Sequence, residues 1–226
     1  MDLENKIIVV TGALGSLGRG VCSAAVAAGA TVLAVDCVDG EPVAGAKAVP
    51  ALDLGDAKAT QARFAELAKE YGRIDGLVNI AGGFAWETLA EGSIDTWDQQ
   101  YQINLRTAVS ASQAALPHFP AGGGRIVNIS AAGAMKAAAG LGAYAAAKSG
   151  VAKLTEALSE ELKEKNITVN AVLPSVIDTK PNREAMADAD FSTWVTPEAL
   201  GKVILFLLSS ASEPITGALI PVTGRV

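Results

Sequence analysis

The first strand–helix–strand pattern of the chain constrains its fold more than any other feature. Ile7–Val10 is a β-branched run without polar alternation, which is typical of a strand buried on both faces. A glycine-rich turn, Thr11–Gly18, leads into a predicted helix from about Leu17 to Ala28. Thr31–Val35 then predicts a second buried strand, which is followed by Asp36. Two such strands joined through a helix are expected to run parallel, with a right-handed connection. The pattern therefore predicts an open sheet covered by helices.

The same alternation continues to the end of the chain. Further strands are predicted at Ala48–Leu52, Ile74–Asn79, Arg125–Ser130, Ile167–Leu173 and Leu219–Val222. Further helices are predicted at Asp56–Tyr71, from Ser93 through Trp97 and Tyr101, at Leu105–Leu116, at Ala143–Lys165 and from Thr196 to about Ser210. Seven strands that alternate with helices predict an α/β fold, a doubly wound parallel sheet with helices on both faces. The 226 residues fit a single domain, 1–226, in which Lys180–Val195 is expected to be irregular and is a candidate lid.

Composition argues against several classes of partner and of chemistry. The net charge is −6 and the pI is about 4.9, so nothing draws the chain to nucleic acid or to an anionic membrane. No apolar run approaches the ~18 residues of a membrane helix, and the N-terminus lacks the features of a signal peptide. Cys22 and Cys37 have no metal-ligand spacing and are expected to be reduced and buried, while the lone histidine, His118, is expected at the surface. The sequence therefore predicts a cytoplasmic protein without a metal site or histidine-based chemistry.

The glycine turn predicts a nucleotide site. Gly12, Gly15 and Gly18 form a G-x-x-G-x-x-G pattern between a strand and a helix, and Asp36 follows the next strand. Such glycines let backbone N–H groups approach a pyrophosphate at a helix N-terminus, and an acid about 20 residues further on binds the ribose. Because Asp36 would repel a 2′-phosphate, NAD(H) is favoured over NADP(H). The alternative is a glycine-rich turn that only connects a strand to a helix.

Other candidate residues follow the predicted strands at the same edge of the sheet. Asp53 and Leu54 are expected in an adenine pocket, although Asp53 is equally typical of a simple turn. Asn79–Gly83 forms a second glycine turn after the fourth strand, where ligands of open α/β sheets collect. Phe84 and Trp86 follow this turn, and either a flat substrate or ordinary packing accounts for them.

Tyr144 and Lys148 predict a proton-transfer pair. Residues four apart on a helix share a face, and a nearby ammonium is expected to lower the pKa of a tyrosine. Such a tyrosine exchanges a proton with a substrate oxygen or nitrogen. Taken alone the pair is common, and an exposed tyrosine packed on a lysine stem is the alternative. Asn104 lies between two predicted helices, where a helix is expected to be interrupted. The alanine- and glycine-rich face of the Tyr144 helix predicts either close packing on the sheet or a subunit interface.

These residues together resemble the short-chain dehydrogenase/reductase family over nearly the whole chain. The resemblance implies a Rossmann-like sheet in the order 3-2-1-4-5-6-7 and a homodimer or homotetramer that pairs through the Tyr144 helix. It implies that Tyr144 is the catalytic acid/base, that Lys148 binds the nicotinamide ribose and lowers the Tyr144 pKa, and that Asn104 holds a water. The cofactor contacts implied are Gly12, Leu14, Gly15, Ser16, Leu17, Gly18, Asp36, Asp53, Leu54, Asn79, Ala81, Gly82, Tyr144, Lys148, Pro174, Ile177 and Thr179.

Two departures from the family pattern bear on the substrate. Ser16 stands where the family has its second glycine, and Ala131 stands where it usually has a catalytic serine. Ser130 is one residue earlier, and because neighbours on a strand face opposite sides, it can replace the missing serine only if the strand has ended or bulged. Both departures are shared with the dihydropteridine reductase branch, which this chain also resembles in residues 171–197. The chain differs from the dihydropteridine reductase branch at Asn104, because that branch has no such asparagine.

The expected reaction is hydride transfer between a nicotinamide and a C=O or quinonoid C=N carbon, with Tyr144 as acid/base. One alternative is an NAD-dependent alcohol dehydrogenase or carbonyl reductase of the 3-oxoacyl type that uses Ser130. A second alternative, of another class, is a non-catalytic dinucleotide-binding sensor. Retention of both Tyr144 and Lys148 argues against the sensor.

Overall fold

The architecture was obtained as a computed structural model, which describes residues 2–226. Within these residues a single seven-stranded sheet has the order β3-β2-β1-β4-β5-β6-β7, and every strand pair is parallel. The predicted doubly wound fold and its strand order are confirmed. The strands are β1 (Ile7–Thr11), β2 (Thr31–Val35), β3 (Lys47–Ala48), β4 (Gly76–Asn79), β5 (Gly124–Ile129), β6 (Ile167–Pro174) and β7 (Leu219–Val222). The α-helices are α1 (Ser16–Ala27), α2 (Ala57–Tyr71), α3 (Ile94–Gln100), α4 (Thr107–Ala115), α5 (Gly142–Leu162), α6 (Lys180–Ala185) and α7 (Pro197–Leu208).

The sheet is buried on both faces, as the apolar strands predict. Successive side chains of a strand point to opposite faces, so Val10 packs in one core cluster and Val9 in the other. The first cluster includes residues of α1 and α7, such as Val21 and Ile204. The second includes residues of α2, α4 and α5, with Phe64 wholly buried. The two layers of helices hold the carboxyl edge of the sheet in a fixed arrangement, and the candidate site lies at that edge.

Two predicted segments differ from the structure. The third strand was expected at Ala48–Leu52, but only Lys47–Ala48 pairs as a strand with β2. Pro50 has no backbone N–H and cannot continue a ladder, which explains the early end of β3. The segment Lys180–Val195 was expected to be irregular, but it contains α6 and a 3₁₀ turn at Phe191–Thr193.

The α6 segment is held by side-chain contacts as well as by its own helix. Thr179 caps α6 by accepting a hydrogen bond from the Asn182 amide. Arg183 forms a two-point ion pair with Asp178, with nitrogen–oxygen distances of 2.5 and 2.7 Å, and its guanidinium lies 4.9 Å from the centre of the Phe191 ring. These contacts order a segment whose sequence has no clear helical or strand periodicity, which is why α6 was not predicted.

Local corrections concern one cysteine and the bounds of two elements. Cys22 is buried as expected, but Cys37 is exposed because it follows β2 at the open edge of the sheet. The predicted strand Arg125–Ser130 ends at Ile129. The helix expected to be interrupted at Asn104 changes there to a π-helical turn, Tyr101–Arg106, which separates α3 from α4. Among residues 2–226, no helix combines the length and hydropathy needed to cross a membrane.

Candidate active site

The two glycine turns meet at the carboxyl edge of β1 and β4. The Thr11 hydroxyl oxygen accepts hydrogen bonds from the backbone N–H groups of Ile80 (3.0 Å) and Ala81 (3.1 Å). This residue of β1 therefore fixes the turn that follows β4. The contact brings the Thr11–Gly18 turn and the Asn79–Gly83 turn to the two sides of one cleft.

The outer part of this cleft brings the first glycine turn together with the acid that follows β2. Its volume is about 590 Å³. The N–H of Leu14 donates to Asp36 at 2.9 Å, so the acid after β2 also holds the glycine turn in place. A Cβ atom at Gly18 would overlap the carbonyl oxygen of Gly12, so the close approach of α1 to the turn requires glycine. The lining includes the predicted contacts Gly12, Leu14, Gly15, Ser16, Leu17, Gly18, Asp36, Asp53, Leu54, Ala81 and Gly82.

The charges of the outer cleft are acidic. Asp36 and Asp53 line it, and no lysine or arginine of the described residues does so. Cys37 also lines it, and burial together with the neighbouring Asp36 raises the pKa of its thiol. The thiol therefore stays neutral near pH 7. A polyanion placed here must be held by backbone N–H groups and by the α1 N-terminus rather than by side-chain cations.

An inner cleft of about 400 Å³ adjoins the outer one. Leu17, Ile80 and Gly82 line both clefts, which makes them continuous. The remaining predicted residues meet in the inner cleft, namely Asn104, Ser130, Tyr144, Lys148, Pro174, Ile177 and Thr179. Asn79 is the exception among the predicted cofactor contacts, because its side chain lies beneath the cleft and donates to Ser112 and Asn128.

Tyr144 and Lys148 lie side by side on α5, as their spacing predicts. The Lys148 ammonium is 5.9 Å from the centre of the Tyr144 ring and donates to the backbone carbonyl of Ile129 at 2.8 Å. Burial lowers the pKa of Lys148 to about 8. Burial also raises the pKa of Tyr144 to about 12. The expected lowering of the Tyr144 pKa is therefore wrong for the protein without a ligand, since the loss of hydration outweighs the ammonium.

Ser130 lies just past the end of β5. The strand has therefore ended before Ser130, which is what a replacement of the missing serine requires. Its hydroxyl, however, donates to the carbonyl of Lys148 on α5 at 2.8 Å, and the residue is only 2% exposed. Ala131, at the position of the family's serine, is also buried and presents only a methyl group. Ser130 thus borders the cleft while its proton is engaged by α5.

A buried amide pair next to this centre was not predicted. Asn104 donates through its Nδ2 to the side-chain oxygen of Gln100 (3.0 Å) and to the carbonyl of Gly83 (3.0 Å), and its Oδ1 accepts from the N–H of Gly83 at 3.2 Å. Gln100 is 1% exposed, although glutamine is usually a surface residue. Its spacing of four residues from Asn104 was the available signal. The pair fixes the second glycine turn against the π-helical turn. Single π-helical turns within α-helices are often found at functional sites.

Comparisons with known proteins agree with this geometry. A sequence profile described as short chain dehydrogenase matches residues 6–190. The chain belongs to the short-chain dehydrogenase family. As a member of it, the protein is an NAD(P)-dependent oxidoreductase.

Relatives in the short-chain dehydrogenase family align along almost their whole length. The 2-dehydro-3-deoxy-D-gluconate 5-dehydrogenase of Escherichia coli is 33% identical, over 99% of this chain and 96% of that protein. The 3-oxoacyl-[acyl-carrier-protein] reductase of Thermotoga maritima is 31% identical, over 99% of this chain and 98% of that protein. A solved short-chain dehydrogenase/reductase from Serratia marcescens has a TM-score of 0.91 and 28% identity, covering 100% of this chain and 99% of that one. The fold and the family are thereby shown.

The buried Lys148 of this short-chain dehydrogenase should make the free energy of unfolding depend on pH. Lys148 has a pKa of about 8 in the folded protein against an ordinary value of 10.5, so between these values the unfolded chain binds more protons. The free energy of unfolding should therefore rise with pH in this window, on the order of 2 kcal/mol relative to Lys148→Met, and show no such dependence below it. Urea unfolding at pH 8 and pH 10 measures this difference. Lys153→Met, on the same helix and exposed, should keep the rise, and a rise retained in Lys148→Met would contradict the prediction.

Proposed function

We propose that the protein is an NAD(H)-dependent reductase that delivers hydride to a C=O or quinonoid C=N carbon, with Tyr144 as the proton donor. The observation that carries this proposal is the continuity of the two clefts. An extended ligand in the outer cleft reaches Tyr144 and Lys148 through the shared wall of Leu17, Ile80 and Gly82. When bound, the nicotinamide supplies the hydride.

The chain's own residues manage the proton and the orientation. Tyr144 is protonated at neutral pH, since its pKa is raised to about 12, and it is therefore set to donate rather than to accept. The Lys148 ammonium, 5.9 Å from the ring centre, stabilises the phenolate that remains after donation. Gln100, Asn104 and Gly83 keep the floor of the inner cleft in place. General acid help of this kind contributes about 10²–10⁴-fold to the rate.

We propose NADH rather than NADPH as the reductant because the outer cleft is acidic. Asp36 accepts from the Leu14 N–H through one oxygen and from the Cys37 N–H through the other, and its remaining lone pairs are available to ribose hydroxyls. A 2′-phosphate would face this carboxylate with no side-chain cation of the described cleft lining beside it.

Asp36→Asn should reduce the cofactor preference. The amide oxygen can still accept from Leu14, while the charge that repels a 2′-phosphate is gone. We expect the ratio of kcat/KM for NADH to that for NADPH to fall about tenfold or more. Steady-state rates with the two cofactors measure it. An unchanged ratio in Asp36→Asn, or a wild-type preference for NADPH, would contradict the assignment.

For the substrate we propose a conjugated molecule such as a quinonoid dihydropterin. Ser130 donates its proton to α5 and Ala131 has no hydroxyl, so neither offers a free donor to a developing oxyanion. Loss of one such donor typically costs about 10²–10³ in rate with an ordinary ketone. NADH oxidation with quinonoid dihydropterin, set against a panel of ketones, tests the proposal. Good ketone turnover without pterin turnover would overturn it.

A carbonyl reductase of the 3-oxoacyl type is the second candidate, since Ser130 borders the inner cleft and the Thermotoga maritima relative is named as such a reductase. Ser130→Ala separates the two. We expect kcat to fall less than about tenfold and stability to fall by about 1 kcal/mol, because only the bond to α5 is lost. A loss of kcat near a hundredfold, at unchanged NADH affinity, would favour the carbonyl reductase.

We also propose self-association through α5 and a cytoplasmic location. The buried alanines of α5, Ala145, Ala147 and Ala152, pack inward, which accounts for part of its smooth face. Ala146 and Ala157 are exposed on the same helix and are suited to close contact with a second copy. Sedimentation of wild type against Ala146→Glu tests for a dimer or tetramer.

A further inference from the structure

Two segments at the mouth of the inner cleft are clamped together. The loop after β4 carries Trp86, whose indole N–H donates to the carbonyl of Ala139 at 3.1 Å. The next residue, Glu87, donates its backbone N–H to the carbonyl of Gly140 at 2.9 Å. Gly140 has a φ of +78°, and a Cβ atom there would overlap the Trp86 ring. The loop is therefore fixed to the segment that immediately precedes α5 and Tyr144.

The clamp places Phe84 at the reacting group. The Phe84 ring meets the Tyr144 ring edge to face, with centres 5.1 Å apart and planes at 73°. Phe84 lines the inner cleft and is nevertheless 63% exposed. A large aromatic side chain this exposed at a cleft leaves much of its ring accessible to a ligand. Trp86 does not line that cleft, so the two aromatic residues have different tasks.

The lining of the inner cleft limits what can cover the Phe84 ring. Apart from the buried Lys148, every residue that lines it within residues 2–226 is uncharged. A carboxylate or phosphate beside the reacting carbon would have no side-chain cation free to pair with it, since Lys148 is buried and bonded to Ile129. Offset stacking on an aromatic wall suits a flat, neutral ring.

We propose that Phe84 is the specificity-determining wall of the inner cleft, that it selects flat uncharged ring substrates by stacking, and that Trp86 is the positioning residue that holds the wall. This inference rests on the proposed function for the identity of the cleft as the substrate site. Phe84 contacts the substrate ring, whereas Trp86 acts only through the clamp to Ala139 and Gly140.

Binding without turnover tests the wall. Isothermal titration of the NAD⁺-saturated protein with oxidised biopterin reports binding without turnover, because neither component can supply hydride. Phe84→Leu keeps apolar bulk but removes the ring face, and we expect the Kd to rise about tenfold, which is about 1.4 kcal/mol. Leu89→Ala is the matched control, since Leu89 is 83% exposed in the same loop and does not line the cleft. NAD⁺ affinity should not change in either variant.

Separate variants test the positioning role of Trp86. Trp86→Leu should raise the biopterin Kd about as much as Phe84→Leu, with NAD⁺ affinity and thermal midpoint within error of wild type. Trp86→Phe, which keeps the ring over Gly140 but loses the bond to Ala139, should recover part of the affinity. An unchanged biopterin Kd in Trp86→Leu would overturn the positioning role. NAD⁺ affinity and thermal midpoint that fall together with biopterin affinity would also overturn it, because Trp86 would then support the whole fold.

The outcomes are separable from those of the proposed function. An unchanged Kd in Phe84→Leu overturns the wall, even where pterin turnover is intact. Failure of the wild-type protein to bind oxidised biopterin overturns the flat-ring class. The wild-type protein could also reduce no pterin and no ketone while Phe84→Leu and Trp86→Leu still raise the biopterin Kd. That result would support the role of Phe84 in binding and overturn the proposed reaction.

Discussion

Replacing Tyr144 with phenylalanine should lower kcat for NADH-dependent reduction by at least a hundredfold and up to about 10⁴-fold. The phenol is the group that the inner cleft places beside Lys148, and its raised pKa keeps the proton in place until transfer. The phenylalanine ring retains the volume that packs against Phe84, so the cleft should keep its shape. NADH affinity should change less than about threefold, because the loss falls on the proton and not on the ring.

Stopped-flow reduction and NADH titration of the same sample measure both quantities. Tyr71→Phe is the control, since this half-buried tyrosine ends α2, away from both clefts, and its variant should turn over as wild type. Turnover that survives in Tyr144→Phe would overturn the proposed mechanism. A wild-type protein that binds NADH tightly but reduces neither pterins nor ketones would instead return the sensor as the better account.

The sequence predicted those parts of the site that depend on the backbone. Buried apolar strands, a glycine turn and an acid after β2 each report a local requirement of chain geometry, and each lies where it was expected. The spacing of Tyr144 and Lys148 likewise requires only a helix. The strand order followed from resemblance, since strand pairing across the sheet is not encoded in any single segment.

The sequence did not predict those properties of polar side chains that depend on how the elements pack together. The pKa of Tyr144 was expected to fall, and it rises because the phenol loses hydration while the ammonium bonds to Ile129. Gln100 was missed because its burial arises only when α3 packs against α5 and its side chain meets Asn104. The role of Ser130 depends on where β5 ends, and a difference of one residue decides whether its hydroxyl meets α5 or a substrate.

The Tyr144–Lys148 pair and the first glycine turn are coupled through the same edge of the sheet. Thr11 ties the two turns together, and Asn104 fixes the second turn beside Lys148. A displacement of the first turn therefore reaches the inner cleft through Ala81 and Gly83. Hydride transfer is sensitive to such displacements, since a misplacement of about 1 Å can cost about a hundredfold in rate.

Because a shift of the first glycine turn reaches both clefts, Gly18→Ala should lower both the stability of the protein and its affinity for NADH. The added Cβ would overlap the Gly12 carbonyl oxygen and lie 2.7 Å from the Ala13 Cα, and neither backbone atom can move without shifting α1 or the turn. Overpacking of this kind typically destabilises a protein by about 1–3 kcal/mol. The shift also misdirects the N–H groups at the start of α1, so NADH affinity should fall more than a hundredfold.

Urea unfolding and fluorescence titration with NADH measure the two effects. Gly122→Ala is the control, since a Cβ atom there meets nothing within 4 Å and the residue lies in neither cleft. The stability loss alone does not explain lost binding when the variant is folded at the temperature of the titration, so binding is measured well below its unfolding midpoint. NADH affinity that survives in folded Gly18→Ala would mean that the cofactor does not rest on this turn, and the outer cleft would lose its assignment.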